Sequence, residues 1–154
     1  MEKEVFDPLF EPGFRDVLFE DSKECLTQLL VRPFSNSGHR AKLLKNLFVL
    51  LEAVERSGGA SKFAEIWIDG SFVTKKVEPN DIDIVVVQKS GVYIDQELLK
   101  VGYWEKVYKC QIIHIEDGNR AQQAEFLDWF GHDQEQRPKG IVRIRFIGGS
   151  DEKH

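Results

Sequence analysis

Asp81 and Asp83 stand either side of one isoleucine in the run Asp81-Ile82-Asp83-Ile84-Val85-Val86-Val87. The β-branched content of that run predicts a central strand. Side chains two apart on a strand share a face and lie about 6.6–7 Å apart along the chain. Two carboxylates so placed repel each other, and a hard cation relieves the repulsion. Mg2+ suits the pair, because it accepts one or two carboxylates and completes its octahedron with water and substrate phosphates. Ile82 and Ile84 point to the opposite face, where helices must pack. Separated from this strand by nine residues, Gly70-Ser71 follows the strand Phe63–Ile68. Glycine lets a phosphate approach the backbone, and adjoining N–H groups with a hydroxyl bind its oxygens. Lys75 or Lys76 is within reach of the same anion. Together these residues describe a site for a metal-bound triphosphate.

The elements that must position them follow from periodicity. Ser22 is the expected N-cap of a helix over Lys23–Val31, which Pro33 and Ser35-Asn36-Ser37-Gly38 end. Leu43, Leu44, Leu47, Phe48, Leu51 and Val54 recur at helical steps with charges between them, and Gly58-Gly59 stops that helix. The period then changes to two. Strands are expected at Phe63–Ile68, Asp81–Val87, Cys110–Ile115 and Ile141–Ile147, the last half-exposed at an edge. Helices are expected over Val92–Val107, with Gly102 a point of division, and over Ala121–Phe130. The fold class is α/β (α+β): a small mixed sheet with helices packed on one face and the carboxylates on the other. One domain spans 1–154, with an irregular arm over 1–21, where Pro8, Pro12 and Gly13 interrupt the chain, and a flexible tail over 148–154.

Composition excludes some functions. Of 154 residues, 21 are Lys or Arg and 26 are Asp or Glu, so the formal charge is −5. That speaks against sequence-specific DNA binding through a strongly basic surface. The longest apolar runs, Leu47–Leu51 and Ile84–Val87, fall far below the roughly 20 residues that cross a bilayer. Met1–Asp7 has no basic stretch followed by an apolar one, so no secretory signal is expected. Cys25 and Cys110 are too few for a disulfide framework or zinc cage and are expected to be packed thiols. The expected location is cytoplasmic.

Other residues have plainer readings. His114 is expected to sit within the sheet, since no second ligand lies at metal-binding spacing. His132-Asp133, after Trp129-Phe130-Gly131, reads as a helix-terminal histidine. Trp67 and Phe72 flank the site, with Trp67 a core residue of its strand. Arg137, Lys139, Arg143 and Arg145 either hold RNA or the triphosphate, or alternate along the exposed face of an edge strand.

Ile68-Asp69-Gly70-Ser71 and Asp81-Ile82-Asp83-Ile84 together resemble the DNA polymerase β-like nucleotidyltransferase superfamily. Trp67–Lys75, Pro79–Asp83 and Pro138–Ile144 are similar to a small bacterial family of minimal nucleotidyltransferases within it. The resemblance runs from the second helix to the last strand. It implies transfer of a nucleoside monophosphate from a nucleoside triphosphate to an acceptor hydroxyl, with release of pyrophosphate. Asp81 and Asp83 would be the catalytic, metal-holding acids, while Gly70, Ser71 and Lys75 would bind the nucleotide. It also implies a third carboxylate on the next strand, serving a second Mg2+. Near that position stands Gln111, an amide. Glu116 at the strand's end and Asp95 on the preceding segment are the other candidates; without either, one ion is expected. The acceptor is a protein or RNA hydroxyl presented by a cognate partner or a second copy, as in toxin–antitoxin-like systems. The alternative is a degenerate member that binds a nucleotide or a partner and catalyses nothing.

Overall fold

The computed structural model describes residues 6–35, 37–95, 97, 100–119, 121, 123–125 and 140–146. Five strands and three α-helices are described in full: β1 (Gly13–Leu18), α1 (Ser22–Leu30), α2 (Gly38–Arg56), β2 (Phe63–Asp69), β3 (Ile82–Gln88), α3 (Val101–Tyr108), β4 (Cys110–Glu116) and β5 (Gly140–Arg145); residues 121 and 123–125 are helical as well. The sheet is mixed, in the order β1-β5-β2-β3-β4. β2 runs antiparallel to both β3 and β5, while β1 is parallel to β5 and β4 to β3. The parallel β3–β4 pair needs a crossover. α3 supplies it and returns the chain so that Cys110 stands opposite Ile82 and Gln111 opposite Asp83.

α2 is capped by Ser37, whose hydroxyl accepts the Arg40 N–H at 3.2 Å. Its stripe Leu43, Leu44, Leu47, Leu50, Leu51 and Val54 is buried against the sheet face carrying Ile66, Ile68, Ile82, Ile84, Val86, Val142 and Ile144. Leu26 and Leu30 of α1 and Trp104 of α3 join the same core. The opposite face carries a smaller buried cluster of Trp67, Val85, Val87, Ile115 and Ile141. α1, α2 and α3 therefore pack on one face, as periodicity predicts, with Ile82 and Ile84 behind the acids. Among the described residues no helix is long and apolar enough to cross a membrane.

Several expectations need correction. The 1–21 segment is not irregular throughout, because Gly13–Leu18 is an edge strand paired in parallel with β5. β5 is consequently an interior strand rather than a half-exposed edge; the partner that covers it is distant in sequence and invisible to local pattern. Ser22 is the first residue of α1 rather than its cap. It is buried, its hydroxyl donates to the Phe19 carbonyl at 2.7 Å, and Asp21 occupies the cap position. Among the described residues of the helix expected over Val92–Val107, the helical ones begin at Val101, in the helix Val101–Tyr108, and Gly102 lies inside it. Upstream, the Asp95 carboxylate accepts the Glu97 N–H at 3.0 Å, a local turn that competes with helix. The expected tail 148–154, Ile147, most of Ala121–Phe130, His132-Asp133, Arg137 and Lys139 lie outside the described residues.

Candidate functional site

β2 ends at Asp69 and passes directly into a short 3-10 turn, Gly70–Val73. The chain then crosses to β3, which returns antiparallel with Asp83 opposite Asp69. Directly opposed residues of an antiparallel pair share a face, so Asp69 and Asp83 stand side by side. Gly70 has φ +79°, and a Cβ there would lie 2.8 Å from Asp83 Cγ. Only glycine meets both conditions: the left-handed backbone and the approach of the carboxylate. Gly70-Ser71 and Asp83, read from sequence as two halves of one site, are in contact.

Asp81 lies just before β3 on the face of Asp83, and both are half-buried. Gln111 of β4, opposite Asp83, donates its amide to Asp81 Oδ2 at 2.6 Å. Ser71 is half-buried. Its carbonyl accepts the Thr74 hydroxyl at 2.7 Å, while its own hydroxyl takes no hydrogen bond among the described residues. The ends of β2, β3 and β4 thus bring Asp69, Gly70, Ser71, Asp81, Asp83 and Gln111 together. Asp69 is missing from the set picked out by sequence. It is 1 % exposed, and period-two alternation from Trp67 would have placed it on the face of Asp83.

The other candidates are elsewhere. Glu116 pairs with Gln88, five residues up β4 from Gln111, about 16 Å along the strand. Asp95 is exposed in its own turn beyond the far end of β3. Neither supplies the third acid. Lys75 is exposed, and the Lys76 ammonium sits 5.7 Å from the Phe6 ring centroid. Trp67 is buried with its indole N–H on Glu65 at 2.8 Å, and Phe72 is fully buried, so both are core residues. Arg143 holds Asp16 at 2.7 Å and Glu65 at 3.7 Å, and Arg145 holds Asp16 at 3.8 Å. These arginines serve their own sheet.

Burial and the charge of Asp81 push the Cys110 thiol up to about 12, which leaves it protonated and inert at neutral pH. Burial lowers the pKa of His114, opposed by Glu116, and keeps the ring neutral. Among the described residues no three His, Cys, Asp or Glu side chains converge on a common metal position. Two carboxylates with water and phosphates are the donor set Mg2+ accepts, so Asp81 and Asp83 fit it, although the Gln111 amide already occupies one Asp81 oxygen.

Residues 7–145 match the family described as "Family of unknown function (DUF6932)", and the chain belongs to that family. No curated protein and no solved structure matches it.

Proposed function

For this member of DUF6932 we propose a magnesium-dependent nucleotidyltransferase that moves a nucleoside monophosphate from a nucleoside triphosphate onto a protein or RNA hydroxyl. The observation that carries the proposal is the contact of Gly70 with Asp83, beside Asp81 on the same face. It joins a phosphate-binding turn to a pair of acids in one site. Asp81 and Asp83 would hold the ion, which when bound neutralises phosphate charge. Gly70 and Ser71 orient the phosphates through backbone N–H groups and the hydroxyl, and Lys75 adds a mobile cation. The acceptor oxygen forms a bond to the α-phosphorus as the bond to pyrophosphate breaks, and the hydroxyl proton is released to water. Positioning and electrostatics supply most of the acceleration. The acceptor comes from a cognate partner or a second copy in the cytoplasm, in the manner of a toxin–antitoxin-like pair.

A second reading is favoured by one observation. The Gln111 amide stands where a third acid would, and it donates to Asp81. A degenerate site of this kind binds a nucleotide, or only a partner, and transfers nothing.

Thermal unfolding with each of the four nucleoside triphosphates, with and without Mg2+, tests the proposal against an Asp81→Ala/Asp83→Ala control. Ligand at one hundred times its Kd adds about 2.7 kcal/mol, a rise of roughly 5–10 °C for a chain of this size. The expected shift requires both Mg2+ and the aspartates. No shift with any triphosphate overturns the nucleotide site. A shift without detectable transfer to any hydroxyl favours the degenerate reading.

A further inference from the structure

Arg40, in the first turn of α2, is 0 % exposed, and among the described residues no carboxylate lies beside it. Its guanidinium donates five hydrogen bonds, all to main-chain carbonyls: Leu30 and Phe72 at 2.9 Å, Thr74 at 2.7 Å, and Lys76 at 3.0 and 2.7 Å. A guanidinium has five N–H groups, so the fork is saturated. It is stacked 3.7 Å from the Phe34 ring centroid, with Phe72 at 4.9 Å. Burial lowers its pKa to about 10, so the charge persists at neutral pH.

Three of those carbonyls, on Phe72, Thr74 and Lys76, belong to the segment that links Gly70-Ser71 to Asp81. The alternate residues face the other way. The Val73 carbonyl accepts the Leu9 N–H at 3.1 Å, and the Lys75 N–H donates to the Asp7 carbonyl at 2.8 Å. The segment is therefore held on two edges. His39, one residue before Arg40, donates its Nε2 to the Pro79 carbonyl, two residues before Asp81.

We infer that Arg40 and His39 are positioning residues: from one turn of α2 they set the separation between the phosphate-binding turn at Gly70-Ser71 and the acids at Asp81 and Asp83. The inference rests on the nucleotide reading above and names the device that makes the two halves one site. Arg40, fully buried with its donors saturated, does not reach a substrate. A clamp of this kind matters for a ligand that spans both halves and not for one held by the acids alone.

Three variants test it. H39L removes an exposed donor, H39Q keeps one at similar reach, and R40K keeps the charge but loses the fork. Calorimetry gives the Kd of Mg2+ alone and of Mg2+ with the triphosphate that stabilises the wild type. Amide exchange reports residues 72–80 without ligand. H39L and R40K are expected to weaken the spanning ligand at least about tenfold, since a small misplacement is felt steeply. Mg2+ alone should bind unchanged, H39Q should restore the affinity, and exchange should quicken over 72–80 but not in the β2–β3 ladder. Equal weakening of both ligands, or of neither, overturns the inference. If the wild type binds no triphosphate, the nucleotide reading falls. The clamp is then judged by exchange alone, upheld by local quickening in H39L and overturned by its absence.

Discussion

At the scale of single residues, Gly70 and Gln111 set what the site can be. Gly70→Ala places a Cβ against Asp83 on a backbone with φ +79°. The left-handed conformation alone costs about 1–2 kcal/mol for a non-glycine residue. Urea unfolding should show a loss at least that large, together with loss of any Mg2+-dependent triphosphate binding. Gln111→Glu tests the opposite property. The amide that donates to Asp81 becomes a third carboxylate, so the variant should melt lower than wild type in chelator and gain more from Mg2+ than wild type does. A variant that melts alike with and without Mg2+ would show that the acids at this sheet end do not gather a cation. The acid pair and the Gly-Ser turn are legible in sequence, since short spacing and period two are local properties. Their contacts are less so: period two puts Asp69 on their face and the resemblance puts Gln111 near them, but what each touches is not local. The contacts depend on which strand lies beside which, and in what register.

At the scale of elements, β1 carries the clearest lesson. Pro8, Pro12 and Gly13 make all of 1–21 read as an irregular arm; beyond the strap Phe6–Pro12, nothing local distinguishes Gly13–Leu18 as a strand. Its partner β5 lies more than a hundred residues downstream. The α2 stripe and the cores of β2, β3 and β4 are read directly, because each buries one periodic face on the helices. β1 is locked to β5 by Asp16, Arg143 and Arg145. The Arg143 hydrogen bond, with the charges of Arg143 and Arg145, holds the Asp16 carboxyl below the ordinary aspartate value against the opposing effect of burial. A depressed carboxyl contributes stability that is present above its unfolded pKa and disappears as pH falls through the folded one. Asp16→Asn should therefore cost about 0.5 kcal/mol or less at pH 7, given how much solvent screens the pair. The difference from wild type should shrink as pH drops below about 3.9. A constant difference down to pH 2 would mean that the ion pair contributes nothing.

At the scale of the molecule, five of the six site residues come from the stretch Asp69–Asp83, and segments distant in sequence hold that stretch in place. The N-terminal strap reaches both the linking segment and β5, where the Gly140 N–H donates to the Phe10 carbonyl at 3.1 Å. Gly140 is required there, since a Cβ would overlap the Glu11 carbonyl. A chain lacking residues 1–12 should melt lower, at about 1 kcal/mol for each main-chain bond lost. Its amide exchange should quicken at residues 73–75 first. Unaltered exchange there would show that the strap merely lies on the surface.

Because the hydrogen bonds from Arg40 and the strap reach only peptide groups of the segment, they are indifferent to its exposed side chains. The exposed residue between the two grips, Lys75, can change its chemistry without loosening anything. Lys75→Glu is expected to leave the melting temperature nearly unmoved while altering which anions are accepted. Lys75→Pro, which deletes the N–H bound to Asp7, should lower it. A scaffold built this way separates the inheritance of shape from the inheritance of preference, so that relatives can diverge in what they recognise while keeping the place where recognition happens.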